Sequence, residues 1–475
     1  MPHPVEGRAL LMIWDGLRPE FIRPELTPNL CALAEGGVRF QNHHAVFPSE
    51  TRVNASSIST GCYPARHGVV GNSLYVPAVD AKRSVNTGDH RVLQALQDQP
   101  EGLLSVPSLG ERLAVLGLPL AVVSSGSPGS SYLLNPTVNG VMVNVRGVVM
   151  PEPIEQDLVQ RFGQFPEAGI PASGWNDYAV QVVLEEVFEK AYPIMVLWLC
   201  DPDITQHQEG LGSPMSLQAI RENDNRLGRI AEQAKKKGIH LLVGSDHGFS
   251  SLRDPVKLDD LFRQAGLQED ELVSVSGGIH AIGKGKEKMG KLVQCLQEQS
   301  WCGPIFTPGS RGGWEGCFPG TFSQELVFLS HEIRSPDIVY SRVWSDESND
   351  FGIAGISFGK SGVATHGTCS PYDMRNVLIA AGPKFKAGMV SSLASGNVDL
   401  VPTLFSLCHL PVAEEVDGRV LEEAMKGGPD PEAVSQQQIR PSVSLPGDLG
   451  EYRLEIWEVE GTRYLAKGWK EAPPA

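Results

Sequence analysis

ALLMIWDG, residues 9–16, runs without a polar residue until it reaches Asp15 and Gly16. An unbroken apolar run fits a strand buried on both faces of a parallel sheet, with function at its carboxyl end. The pattern recurs. YPIMVLWLCDPD (192–203) leads into Asp201 and Asp203, and IHLLVGSDHG (239–248) leads into Asp246 and His247. Three apolar strands, each ending in a carboxylate, predict one crevice at one edge of an α/β sheet.

Helices are expected between these strands. TPNLCALAEGG (27–37) offers Thr27 as a cap, Pro28 in the first turn and Gly36-Gly37 as a stop. SETRVNASSISTG (49–61) reads as a helix beginning near Thr51 and ending at Gly61, after the strand VRFQNHHAVF (38–47). Further helices are predicted in 108–117, 176–191 and 215–238, with a strand in 118–126. Residues 250–360 break the rhythm; they are rich in Gly and Pro, carry an exposed helix in KGKEKMGKLVQCLQEQ (284–299), and are expected to form an inserted cap. The core is thus assigned to 1–249 and 361–426, with a return strand in RNVLIAAGPKF (375–385) and a helix in VDLVPTLFSLCHLP (398–411). A tail, 427–475, ends in a β-hairpin turning near Glu460-Gly461.

Bulk properties narrow the function. The chain has 475 residues, 41% hydrophobic and 20% charged, as an ordinary soluble globular protein does. Its net charge of -16 argues against a nucleic acid polymer as ligand, because a phosphate backbone needs a basic surface. A small phosphate ester is still admitted, since bound metals reverse the local potential. The eight cysteines are scattered without metal-type spacing. They read as reduced and mostly buried thiols, with a Cys302–Cys317 pair as the alternative in an oxidising compartment. No run is long and apolar enough for a membrane helix, and MPHPVEGRALLMIW lacks the basic start of a secretory signal. The expected location is cytoplasmic, or periplasmic or secreted if a leader was removed.

Seven residues carry the chemistry: Asp15, Thr51, Asp203, His207, Asp246, His247 and His366. Oxygen and nitrogen donors with little sulfur suit zinc or another first-row divalent ion such as manganese. A phosphate ester resists attack because its oxygens are negative, and two divalent ions about 4 Å apart neutralise the attacking and leaving oxygens together. Each residue alone has a plainer reading. Thr51 at a helix start is an N-cap. Asp203 and His207, four apart on a helical turn, face one side, with Asp201 as a competing carboxylate. His366 in ATHGTCSP is a polar loop residue.

Order gives these signals their weight. The chain reads WDG, FPSET, TGCYPARHGVVGN, PDITQH, SDHG and THG in sequence. In this it resembles the alkaline phosphatase superfamily, most closely its type I phosphodiesterase/nucleotide pyrophosphatase branch, from about residue 9 to about residue 420. The resemblance implies a mainly parallel sheet sandwiched by helices. It implies two zinc ions, one on Asp15, Thr51, Asp246 and His247, the other on Asp203, His207 and His366. It also implies in-line attack by Thr51, a covalent phosphothreonine, and Asn72 as donor to a nonbridging phosphate oxygen.

Departures bear on the substrate. Nucleotide-cleaving members often carry an aromatic residue just after the nucleophile; here it is Arg52, which points to an extra anionic group on the substrate or is a solvated helix residue. Trp198 offers a stacking face or belongs to the core. His67 is read as structural, Asn54 as a cap, and His43-His44 is left without a role. A phosphonoacetate hydrolase holds its substrate carboxylate with lysines; AVVSSGSPGSSYLL (121–134) has serines instead. A phosphomonoesterase, a mutase and a catalytically silent metal-binding homologue complete the alternatives, and a sulfatase lacks its required Cys or Ser context. The expected ligand is a small phosphate or phosphonate compound.

Overall fold

The computed structural model describes residues 6–256, 258–283, 285–309, 312–359, 362–411 and 415–473. Its centre is a nine-stranded sheet. In spatial order the strands are Met389–Gly396, Val38–His44, Leu378–Ala381, His240–Gly244, Ala9–Trp14, Ile194–Leu199, Leu120–Ser124, Gly140–Asn144 and Val148–Met150. Only Leu378–Ala381 and Val148–Met150 run against the others. The three carboxylate-bearing strands are therefore adjacent at the middle of the sheet. Ala9–Trp14 pairs in parallel with Ile194–Leu199 on one side and His240–Gly244 on the other. Every residue of these three strands is buried, as unbroken apolar runs require, because helices cover both faces.

The expected helices form at Pro28–Glu35, Thr51–Thr60, Leu109–Val115, Pro214–Lys236 and Leu400–Leu407. Residues 176–191 do not make one regular helix. An α-helix over Ser173–Val182 passes into a π-helical turn over Val183–Val187. Thr27 does not cap its helix through its side chain; its hydroxyl bonds the carbonyls of Phe21 and Arg23 instead.

The 250–360 region builds two smaller sheets. One has five strands: Leu272–Val275, Gly278–Ala281, Ile338–Arg342, Cys302–Thr307 and Phe322–Ser323. The helix Lys286–Gln297 exposes its charged side and buries Met289, Leu292, Val293 and Leu296. The other sheet joins Ser250–Pro255, which follows Asp246-His247, to Ala364–Thr365, which precedes His366. The assigned boundary at 360–361 lies outside the described residues.

The C-terminal hairpin pairs Glu451–Val459 with Thr462–Glu471 through a turn whose Glu460 and Gly461 both have positive φ, 51° and 89°. It is packed rather than trailing: Tyr452, Leu454, Ile456 and Tyr464 are buried. All eight cysteines are free; Cys302 is buried and Cys317 exposed, so they form no pair here. Among the described residues no helix is long and apolar enough to cross a membrane.

Candidate active site

The candidate side chains leave the scaffold at strand ends and in short helices. Asp15 follows its strand, its N–H bonding Leu199 O at 2.9 Å, and Asp15 O accepts from Asp203 N at 3.0 Å. Asp203 opens the helix Asp203–Glu209, which carries His207 one turn later. Asp246 and His247 follow His240–Gly244. Thr51 is the first residue of Thr51–Thr60. Ser49 ties the FPSET loop to the THG loop: its carbonyl accepts from His366 Nδ1 at 2.7 Å and its hydroxyl from Gly367 N at 3.2 Å.

The chain thus brings all seven predicted residues together. His247 Nε2 lies 3.2 Å from Thr51 Oγ1, 3.2 Å from Asp246 Oδ2 and 3.4 Å from Asp15 Oδ1. Asp203 Oδ1 lies 3.3 Å from His207 Nε2 and 3.5 Å from His366 Nε2. Two groups have donor atoms all within 4.8 Å of one another: Asp15, Asp246 and His247, and Asp203, His247 and His366. His247 belongs to both, and its ring stacks on His366 at 3.6 Å between centroids. His247 therefore stands at the junction of the two candidate donor groups.

The donors fit metal ions in two respects. Asp15 Oδ1, Asp203 Oδ1 and Asp246 Oδ2 are buried with no hydrogen-bond partner, although buried carboxylate oxygens are normally satisfied. All three imidazoles contact a backbone carbonyl through Nδ1: His207 with Ala364 at 3.0 Å, His247 with Gly248 at 2.8 Å, His366 with Ser49 at 2.7 Å. A carbonyl only accepts, so Nδ1 carries a proton, and in the neutral form of each ring Nε2 presents its lone pair to the crevice.

Electrostatics agree. Burial, reinforced by Asp246 and Asp203, pushes the Asp15 carboxyl well up. Burial also raises Asp246, against the opposing pull of His247. Burial would raise Asp203 as well, but His207, His366 and His247 outweigh it and hold it below its ordinary value. Burial and the neighbouring His247 drive the His366 imidazole well down. Crowded buried carboxylates of this kind call for a cation.

The remaining residues separate. Asp201 is scaffold, not a competing ligand: it accepts from Ala172 N, Asn176 Nδ2 and the Thr205 hydroxyl. His67 is buried between the Ser57 hydroxyl and Val69 N. His43 bonds Ser395 and Asn397, and burial lowers both His43 and His44 to about 3. Asn54 accepts from Val46 N at 2.7 Å and fixes the loop before the helix Thr51–Thr60.

Trp198 requires a correction. It is 0% exposed and offers no stacking face, because its strand is central and covered on both sides. Its indole N–H donates to Asp15 Oδ2 at 2.9 Å, which leaves Oδ1 for a metal. Trp198→Phe keeps the packing and deletes that donor, so a loss of roughly 10–100-fold in metal affinity is expected; chelator competition measures it, and unchanged affinity removes the role.

Arg52 is not simply solvated. Its Nε is buried without a partner, and its guanidinium lies in the field of Glu50, Asp15, Asp203 and Asp246. Asn72 Oδ1 accepts from Arg52 N at 3.0 Å, beside Thr51. Sequence reasoning missed Glu50, Ser276 and Arg342, which with Tyr340, Thr365 and His366 line a cleft of about 280 Å³ at the site. Glu50 directly precedes Thr51, and that adjacency was its one available signal.

The model of the type I phosphodiesterase / nucleotide pyrophosphatase family matches residues 9–299. The chain belongs to this family. Venom phosphodiesterase 2 of Crotalus adamanteus is 24% identical over 255 residues, 52% of this chain and 27% of the relative. Human ectonucleotide pyrophosphatase/phosphodiesterase family member 7 is 23% identical over 443 residues, 87% of this chain and 86% of the relative. The chain thus spans about a quarter of the venom enzyme's length and most of the human protein's. Murine ectonucleotide pyrophosphatase/phosphodiesterase 5 shares the fold at a TM-score of 0.60 and 16% identity, covering 88% of this chain and 100% of that one. An inactive variant of the murine protein, in complex with AMP, superposes at 0.59 and 18% identity over 86% and 96%.

Proposed function

We propose that this family member hydrolyses phosphate diester or pyrophosphate bonds of small molecules with Thr51 as nucleophile. The observation carrying the proposal is the cluster of three unpartnered buried carboxylate oxygens with the Nε2 atoms of three imidazoles, one of which, that of His247, lies 3.2 Å from the Thr51 hydroxyl. Asp15, Thr51, Asp246 and His247 would hold one zinc ion, and Asp203, His207 and His366 the second. Bound there, the ions supply positive charge to the attacking, nonbridging and leaving oxygens.

The chain's own residues do the rest. Thr51 Oγ, at the positive end of its helix, gives up its hydroxyl proton to solvent and forms the new P–O bond while the bond to the leaving oxygen breaks. The leaving group departs with the electron pair and takes up a proton. Water then cleaves the phosphothreonine and restores the hydroxyl. Asn72 donates to a nonbridging oxygen throughout. The AMP bound by the murine variant is consistent with a phosphoryl ligand in this crevice.

Arg52 adds a preference for substrates bearing a second anionic group. Arg52→Ala is expected to raise KM about tenfold for such substrates and little for singly charged aryl diesters. An equal effect on all substrates removes that role. The phosphonate alternative loses support, since Ser124, Ser125, Ser130 and Ser131 are buried in the scaffold, where Ser125 donates to Asn176. A panel of aryl monoesters, aryl diesters, dinucleotides and phosphonoacetate tests the proposal: diesters or dinucleotides turning over fastest supports it, and phosphonoacetate or monoesters turning over fastest overturns it.

A further inference from the structure

We infer that Glu50 is a positioning residue that aims Asn72 at the phosphoryl group. The inference rests on the proposed role of Asn72 as phosphate donor and extends it to a residue outside the metal ligands. Glu50 occupies the N-cap position of the nucleophile helix, yet its side chain makes no capping bond. The short side chains of Asp, Asn, Ser or Thr at this position accept from the helix's own amides; the longer glutamate arm reaches past them. Here Glu50 Oε2 turns away and accepts from the backbone N–H of Asn72, twenty-two residues on, at 2.5 Å.

Asn72 is then bracketed around Thr51. The residue before the nucleophile holds its backbone N–H, and the residue after holds its side-chain oxygen through Arg52 N. The Asn72 carbonyl accepts from Thr87 N and from the Thr87 hydroxyl at 2.7 Å. Only the side-chain NH₂ of Asn72 has no partner among the described residues. Three fixed points leave that donor one direction, which is what a preorganised phosphate contact needs.

Glu50 is itself fixed. It is 8% exposed and lies against Gly367, where a Cβ would stand 3.2 Å from Oε1, at a φ of +107° that a side chain rarely tolerates. Ser276, in the turn between Leu272–Val275 and Gly278–Ala281, and the guanidiniums of Arg52 and Arg342 surround its carboxylate. Ser276 N also donates to Ser73 Oγ at 3.1 Å, next to Asn72.

A double-mutant cycle on kcat/KM for an aryl phosphodiester tests this. Asn72→Ala is expected to lower the value by roughly 10²–10³-fold, as loss of one preorganised donor does. Glu50→Ala should lower it at least tenfold with metal content unchanged. The double variant should match Asn72→Ala within about threefold, because Glu50 acts only through Asn72. Glu50→Gln, which keeps an acceptor, should recover most of the activity. Glu50→Asp keeps the charge but shortens the arm; it should behave like the alanine variant and serves the cycle if that variant does not fold. Multiplying losses in the double variant, or full activity in Glu50→Asp, overturns the inference. Wild-type activity in Asn72→Ala overturns instead the donor role on which it rests.

Discussion

Thr51→Ala is expected to abolish turnover while the protein stays folded. In the proposed mechanism the hydroxyl is the attacking group, so its removal deletes covalent attack outright; losses of a nucleophile run to roughly 10⁴–10⁶-fold in kcat. The structural cost is small. The hydroxyl's contact with His247 Nε2 at 3.2 Å is worth about 1 kcal/mol, and among the described residues no other side-chain bond depends on it. The carboxylates and imidazoles remain, so metal content should fall little. Steady-state kinetics on an aryl phosphodiester, with a thermal melt of the same sample, checks both halves. Turnover at the wild-type rate would mean that no phosphothreonine forms.

His247→Ala has the opposite signature: metal and activity are lost together. Its Nε2 lies within 3.4 Å of Asp15, Asp246 and Thr51, and its ring stacks on His366 from the second ligand set. Its removal strips a donor from one set and a wall from the other. Loss of a residue that merely orients a ligand costs 10–100-fold in metal affinity, so loss of this ligand should cost more than about 100-fold. A thermal readout follows. If the proposed site holds zinc, the bound ion stabilises wild type by mass action, and the midpoint should rise with added zinc. In His247→Ala the rise should be greatly reduced. An equal zinc-dependent rise in both proteins would show that His247 does not hold the ion.

Much of this was legible in the sequence because local pattern and function coincide at strand ends. The runs before Asp15, Asp203 and Asp246 are continuous because their strands are covered on both faces, and the carboxylates follow where the sheet opens to the crevice. The helix Thr51–Thr60, stopped at Gly61, and the turn at Glu460-Gly461 follow from cap and turn chemistry. The misread or missed residues depend on contacts far apart in sequence. Asp201 and Asp203 look alike until Ala172, Asn176 and Thr205 are seen to satisfy one of them. Trp198 is an aromatic near a site until its N–H is found on Asp15, 183 residues away. The five-stranded sheet of the 250–360 region is built from short strands joined across long stretches, and no local periodicity announces such pairing.

The central claim is that these donors form a two-metal site. Metal analysis of the purified chain after gentle dialysis tests it most directly. Two equivalents of zinc per chain are expected, with activity lost on chelation and restored by zinc. Fewer than two equivalents in fully active protein would contradict the account.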